Sequence, residues 1–179
     1  MMKAGYVGAL IHNWDYVFRN GDDSIQANLK RNVGEDATYV PIECFQDKNG
    51  GYTKYSYSTA GDRKIFFPST NDEPLASMLY LDYISTPEVI QYLQIGDEGV
   101  THNVLDDGAY EIVAVTGDAI MNSSNNIDMT ITCNGLNFTD ADVTLKSIAH
   151  SYSGIDPELV IASNDICQND AIVVGNVRV

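Results

Sequence analysis

Positive charge is what this sequence has least of. Ten Lys and Arg stand against twenty-five Asp and Glu, for a formal net charge of −15 and a pI of about 4.2. A chain this acidic repels phosphate backbones and anionic bilayers, so nucleic acid is excluded as a partner. Cysteine is scarce: Cys44, Cys133 and Cys167 are odd in number and far apart. That spacing excludes a fully paired disulfide framework and any CxxC metal signature, and the expectation is three reduced, mostly buried thiols. Long apolar runs are missing as well. None approaches the ~20 residues that span a bilayer. The opening residues, MMKAGYVGALIHNWD, contain no h-region, no cleavage site and no lipobox cysteine. There is one tryptophan, Trp14. No internal repeat or low-complexity tract is visible.

What is present is an ordinary apolar fraction, 44% of 179 residues, enough for one core. The most informative stretch is NDEPLASMLYLDYISTPEVIQYLQIGDEGVTHNVLDDG, residues 71–108. Asn71 is placed to cap a helix, Asp72 and Glu73 to face the positive end of its dipole, and Pro74 to occupy its first turn. Leu75, Met78, Leu79 and residues 81–84 then recur at helical spacing. Thr86, Pro87 and Glu88 form a second start, with Val89, Ile90 and Leu93 as the expected buried stripe and Gly96 as the stop. Gly99 and the Asp107–Gly108 turn bracket a short strand around Val104 and Leu105.

Elsewhere the patterns are shorter. Residues 6–11, 37–41 and 65–67 are expected as strands, the last of them buried. Weak helical periodicity runs through Ile25, Ala27 and Leu29, and Asn49–Gly50 signals a turn. Tyr110 to Val115 reads as β, and Ile127, Met129, Ile131 and Cys133 alternate with polar residues as in a strand with one wet face. Asn134–Gly135 is a turn. Thr139 or Asp140 caps a helix through Ala149, Asp156–Pro157–Glu158 starts another, and residues 171–179 are β-like.

Candidate site residues follow from chemistry. Flat aromatic faces take the apolar C–H faces of sugar rings, and Trp14 has Asn13 and Asp15 beside it to receive hydroxyls. Tyr52, Tyr55 and Tyr57 crowd a glycine-rich loop and can offer stacking and hydroxyls at a cleft rim, or simply cover a core. Glu98 and His102 can be read as an acid–base pair, but nothing nearby supplies a nucleophile or an oxyanion hole. His12, His102 and His150 have no metal-ligand spacing. The pairs Asp22–Asp23, Asp72–Glu73 and Asp106–Asp107 have no calcium-loop alternation and read as caps, turns and solvated faces.

The helix pair around Thr86-Pro87-Glu88, followed by Gly96, Glu98-Gly99 and His102, resembles the extracellular solute-binding proteins of ABC importers, the lipoprotein type that binds sugars and oligosaccharides. Lys3-Ala4-Gly5 and Trp14 are loosely similar to a strand of that family that delivers an aromatic to the cleft. The resemblance implies an α/β fold: a periplasmic-binding-protein-like lobe, a mixed sheet flanked by helices, incomplete relative to two full lobes. It implies one partial domain over 1–179, with a lobe core over 1–110 carrying the helix pair at 71–95, and a β-rich then helical continuation over 111–179. The implied function is capture of a sugar or similar small-molecule solute at Trp14, Asn13, Asp15, Tyr52 and Tyr55, without catalysis, cofactor or metal. The implied partner is an ABC permease, and the implied location is the cell surface, as a lipoprotein in the full-length protein. Since family members are commonly more than twice this length and carry an export signal, the expectation is that this chain is a piece of one. The competing readings are a carbohydrate-active enzyme fragment using Glu98 with Asp97 or Asp106, and a surface interaction module with no small ligand.

Overall fold

The structure is a computed structural model that describes residues 1–50, 55–57, 65–113, 131–132, 135–170 and 172–174. They divide into two compact units, one of residues 1–65 with 152–179 and the other of residues 66–151. The sequence expectation divided the chain near residue 110. In the structure, residues up to 151 stay with the helix pair, and the chain rejoins its first unit at Tyr152.

In the first unit, a 3-10 turn at Met2–Ala4 ends on Gly5, whose φ is +74°. A Cβ there would lie 2.7 Å from Val33 Cγ2, so both conformation and space call for glycine. This turn packs on α1, Ile25–Val33. Ser24 caps α1, its Oγ accepting from Ala27 N–H at 3.0 Å. Tyr55–Tyr57 (β1) pairs in parallel with a strand near the other end of the unit, Ile172–Val174. The buried apolar residues of this unit include Phe18, Leu29, Ile155 and Val160.

The expected strands at 6–11 and 37–41 are irregular backbone without strand pairing. The Asn49–Gly50 turn is present: Gly50 N–H donates to Asp47 C=O at 3.0 Å and Asn49 N–H to Asp47 Oδ1 at 2.7 Å.

In the second unit, both proline-started helices form where the sequence puts them: α2 over Pro74–Ile84 and α3 over Pro87–Ile95, which stops on Gly96 at φ +65°. Their caps differ from expectation. Asn71 Oδ1 accepts Glu73 N–H at 2.9 Å, an Asx turn leading into the helix, and Glu73 occupies the cap position with no side-chain bond. Thr86 Oγ1 donates backward to Tyr83 C=O at 2.9 Å rather than capping α3. The buried stripe is displaced too: Val89, Ile90 and Leu93 are half-buried, whereas Gln94 and Ile95 are fully buried. The expected buried strand at 65–67 is exposed coil, with Phe66 at 81% exposure.

His102–Val104 (β2) and Tyr110–Ile112 (β3) form an antiparallel hairpin, with Val104 opposite Tyr110. Its turn is fixed by Leu105 N–H to Ala109 C=O at 2.9 Å and Ala109 N–H to Asp107 Oδ1 at 3.0 Å. Helix α4, Ala141–His150, is capped by Asp140, whose Oδ1 accepts from Asp142 N–H at 2.8 Å and Val143 N–H at 3.3 Å. It packs on β3, with buried Ser147 Oγ accepting from Tyr110 N–H at 2.9 Å. Of the alternating stretch 127–133, Ile131 and Thr132 are described, and they are helical rather than extended. Back in the first unit, α5 runs over Pro157–Asp170; Glu158 N–H donates to Asp156 Oδ1 at 3.1 Å, consistent with a start at Asp156–Pro157–Glu158. β4 is Ile172–Val174, the parallel partner of β1. Among the described residues, no helix is long and apolar enough to cross a membrane.

Candidate functional site

The first unit holds a cavity of ≈ 320 Å³, at the lower end of the range that admits small-molecule ligands. Its walls come from four segments: Gly8–Leu10; His12, Asn13 and Trp14 with Val17 and Phe18; Thr38–Ile42; and the α5 residues Ser163, Ile166 and Cys167. The lining mixes apolar side chains with the polar ones of His12, Asn13, Thr38, Tyr39 and Ser163. Trp14 and Asn13, two of the residues singled out from the sequence, both belong to it.

Each wall is held by a bond to a distant part of the chain. Trp14 is half-buried and its carbonyl accepts from Ser163 Oγ at 2.7 Å. Ser163 is itself buried on α5 and continues the stripe of Val160 one turn on. This fixes the backbone that carries the indole. Tyr39 joins two other walls, with its hydroxyl donating to Val7 C=O at 2.6 Å. Gln26, buried on α1, secures the 38–42 wall: its Oε1 accepts Tyr39 N–H at 2.9 Å, and its Nε2 donates to Thr38 Oγ1. At the cavity lining, the His12 ring stacks on Tyr16 with centroids 3.6 Å apart.

Asp15 is placed differently from its neighbours. Its carboxylate is not part of the lining. It accepts from Arg19 Nη2 at 2.7 Å and Nε at 2.9 Å, a two-pronged pairing, and from Tyr152 OH at 3.0 Å. Burial pushes its pKa up, but the Arg19 and Tyr152 hydrogen bonds and the Arg19 charge outweigh that and hold it below the usual aspartate value. The same partnership, led by burial and then by the Asp15 charge, drives the Tyr152 phenol well above its ordinary range. Asp15 therefore braces residues 15–19 against Tyr152, behind the cavity wall. Tyr52 lies outside the described residues, and Tyr55 and Tyr57 are described only by their backbone in β1.

The second unit contains the residues of the acid–base reading. His102 is buried, and its Nδ1 lies 3.1 Å from Ile95 C=O. A carbonyl only accepts, so Nδ1 carries the hydrogen. The ring meets Tyr110 edge-on, 5.4 Å between centroids. Glu98 is exposed; its main chain bridges to His102, and Gly99 N–H donates to His102 C=O at 2.7 Å. His102 thus ties the end of α3 to the hairpin. Asp97 and Asp106 are exposed as well. A smaller cavity in this unit, ≈ 230 Å³, is lined by Pro87, Ile90, Gln91, Gln94, Thr132 and Asn137–Thr139, and neither Glu98 nor His102 borders it.

Gln94, fully buried, was not marked by any sequence pattern. Its Nε2 donates to Asn137 C=O at 3.0 Å and its Oε1 accepts Asn137 N–H at 2.6 Å, so the side chain pairs with Asn137 as a neighbouring strand would. The half-buried thiols Cys44 and Cys167 lie in the first unit. Among the described residues, no three His, Cys, Asp or Glu groups come together as a metal site.

In comparisons with known proteins, no family model, no curated protein and no solved structure matched the chain.

Proposed function

We propose that the chain is a non-covalent solute-binding module of the kind its sequence resembles: part of the sugar-binding, surface-anchored lipoprotein of an ABC importer, built on a periplasmic-binding-protein-like α/β lobe. Its ligand is a sugar or oligosaccharide, its protein partner the importer's permease, and it needs no cofactor. The observation that carries this reading is the joint presence of Trp14 and Asn13 in the lining of one ≈ 320 Å³ cavity. An indole face offers the apolar side of a pyranose a stacking surface, and the asparagine amide offers both donors and acceptors to hydroxyls. The exposure of Glu98, outside the lining of both cavities described above, also favours binding over acid–base chemistry there.

A partial cleft binds weakly, so a dissociation constant in the millimolar range is expected, about −4 kcal/mol. Trp14 is the sole tryptophan, so its fluorescence reports on this cavity alone. Titration with mono- and oligosaccharides should shift the emission saturably, and Asn13→Ala should weaken that response several-fold. A flat titration with every sugar would refute the proposal. Hydrolysis of chromogenic glycosides that is abolished by Glu98→Gln would replace it with the enzyme reading.

A further inference from the structure

Helix α2 is apolar on nearly every side, carrying Leu75, Met78, Leu79, Tyr80, Leu81, Tyr83 and Ile84 within eleven residues. A helix of that composition is ordinarily enclosed all round. Here one side is enclosed: Ile84 is buried, and Leu81 and Ser77 are half-buried. The opposite side is open. Leu75 is 70% exposed, Met78 55%, Leu79 61% and Tyr83 64%. Their spacing of three, four and eight residues lines them up as one stripe, roughly 12 Å long at 1.5 Å per residue.

The charge around the stripe has one sign. Asp72 and Glu73 precede the helix, and exposed Asp82 falls within the stripe, three residues after Leu79 and four after Met78. No Lys or Arg occurs anywhere between Lys64 and Lys146. We infer that the Leu75–Met78–Leu79–Tyr83 face of α2 is a docking surface for a cationic amphipathic helix of a partner protein. Such a helix lays its apolar side along the stripe, where the unbranched Met78 adapts to its shape, and sets Lys or Arg beside Asp72, Glu73 and Asp82. Charge complementarity selects this occupant over the others. A second copy would bring together two chains of formal charge −15 each, and an anionic bilayer would be repelled in the same way.

The test is fluorescence anisotropy of a labelled helical peptide of leucine and lysine, apolar on one side, titrated with the intact chain. The expected result is micromolar binding that weakens as salt is raised. The double substitution Leu75→Ser and Leu79→Ser should weaken it at least tenfold, and circular dichroism should show the fold kept, since both residues are exposed. Asp82→Lys should weaken it and improve binding of the same peptide built with glutamate. The inference is overturned by absence of binding, or by equal binding of a scrambled leucine–lysine peptide, which would mark mere attraction to an acidic chain. It is also overturned if sedimentation shows a dimer that the double substitution dissolves, or if anionic vesicles bind the chain and compete with the peptide. None of these outcomes depends on the sugar titration at Trp14.

Discussion

At the scale of single residues, two glutamines illustrate how side chains can stand in for missing strands. Gln94 pairs with both backbone groups of Asn137, and Gln26 holds Thr38 and Tyr39. Replacing Gln94 with Leu keeps the volume roughly but leaves the Asn137 N–H and C=O without their partner. We expect a loss of about 1–3 kcal/mol in urea unfolding, and a larger one at neutral pH for Gln94→Glu, which buries a charge against the Ile90 and Asn137 carbonyls. Asp15 makes a second prediction. Its pKa is lowered in the folded chain, so its contribution is present at neutral pH and is lost as pH falls below its unfolded value of 3.8 and through the folded one. The Tyr152 phenol is raised, so its contribution is lost on the alkaline side, above the unfolded value of 10.0. Thermal unfolding followed against pH should fall at both extremes, and Asp15→Asn should flatten the acid limb. These residues also show what a sequence can reveal. Trp14 and Asn13 were legible because a lone tryptophan beside a small amide is chemically conspicuous. Gln94 was not, because its partner is forty-three residues away and nothing local marks it. Asp15 was chosen for its chemistry, but Arg19 and Tyr152, which engage its carboxylate, are brought to it by the fold.

At the scale of elements, the helix starts separate into two kinds. Ser24 and Asp140 each accept backbone N–H groups of the helix they begin, whereas Thr86 donates backward to Tyr83. Ser24→Ala and Asp140→Ala should each cost about 1 kcal/mol, and Thr86→Ala within about 0.5 kcal/mol, although the sequence presents Thr86 and Asp140 alike as helix starts. Helices were legible because proline, acid and periodicity are local signals. Strands were not, because a short apolar run becomes a strand only if another backbone comes to pair with it. At residues 6–11 and 37–41 the two runs are instead joined by a side chain, Tyr39 OH to Val7 C=O, and remain irregular walls of a cavity. The α3 stripe of Val89, Ile90 and Leu93 is only half-buried, while the deepest positions are Gln94 and Ile95; a polar Gln94 falls outside any apolar pattern.

At the scale of the whole molecule, charge is the dominant feature. The chain carries −15, and among the described residues the ion pairs, such as Lys3–Asp23, Arg19–Asp15 and Lys146–Asp142, engage few of the carboxylates. Raising salt from about 0.01 M to 1 M shortens the screening length from about 30 Å to about 3 Å. We therefore expect the melting temperature to rise with NaCl, by scanning calorimetry, with a transition that sharpens if the acidic 66–151 unit is the weaker one. A melting temperature that falls with salt would mean that the ion pairs outweigh the repulsion. The division of the chain has a different consequence. Residues 66–151 interrupt the unit made of 1–65 and 152–179, and that unit's parallel pair joins Tyr55–Tyr57 to Ile172–Val174. On the ribosome the interrupting segment therefore emerges whole while its host still lacks a strand. Synthesis itself imposes an order of maturation, in which the half that began first is the last to be completed.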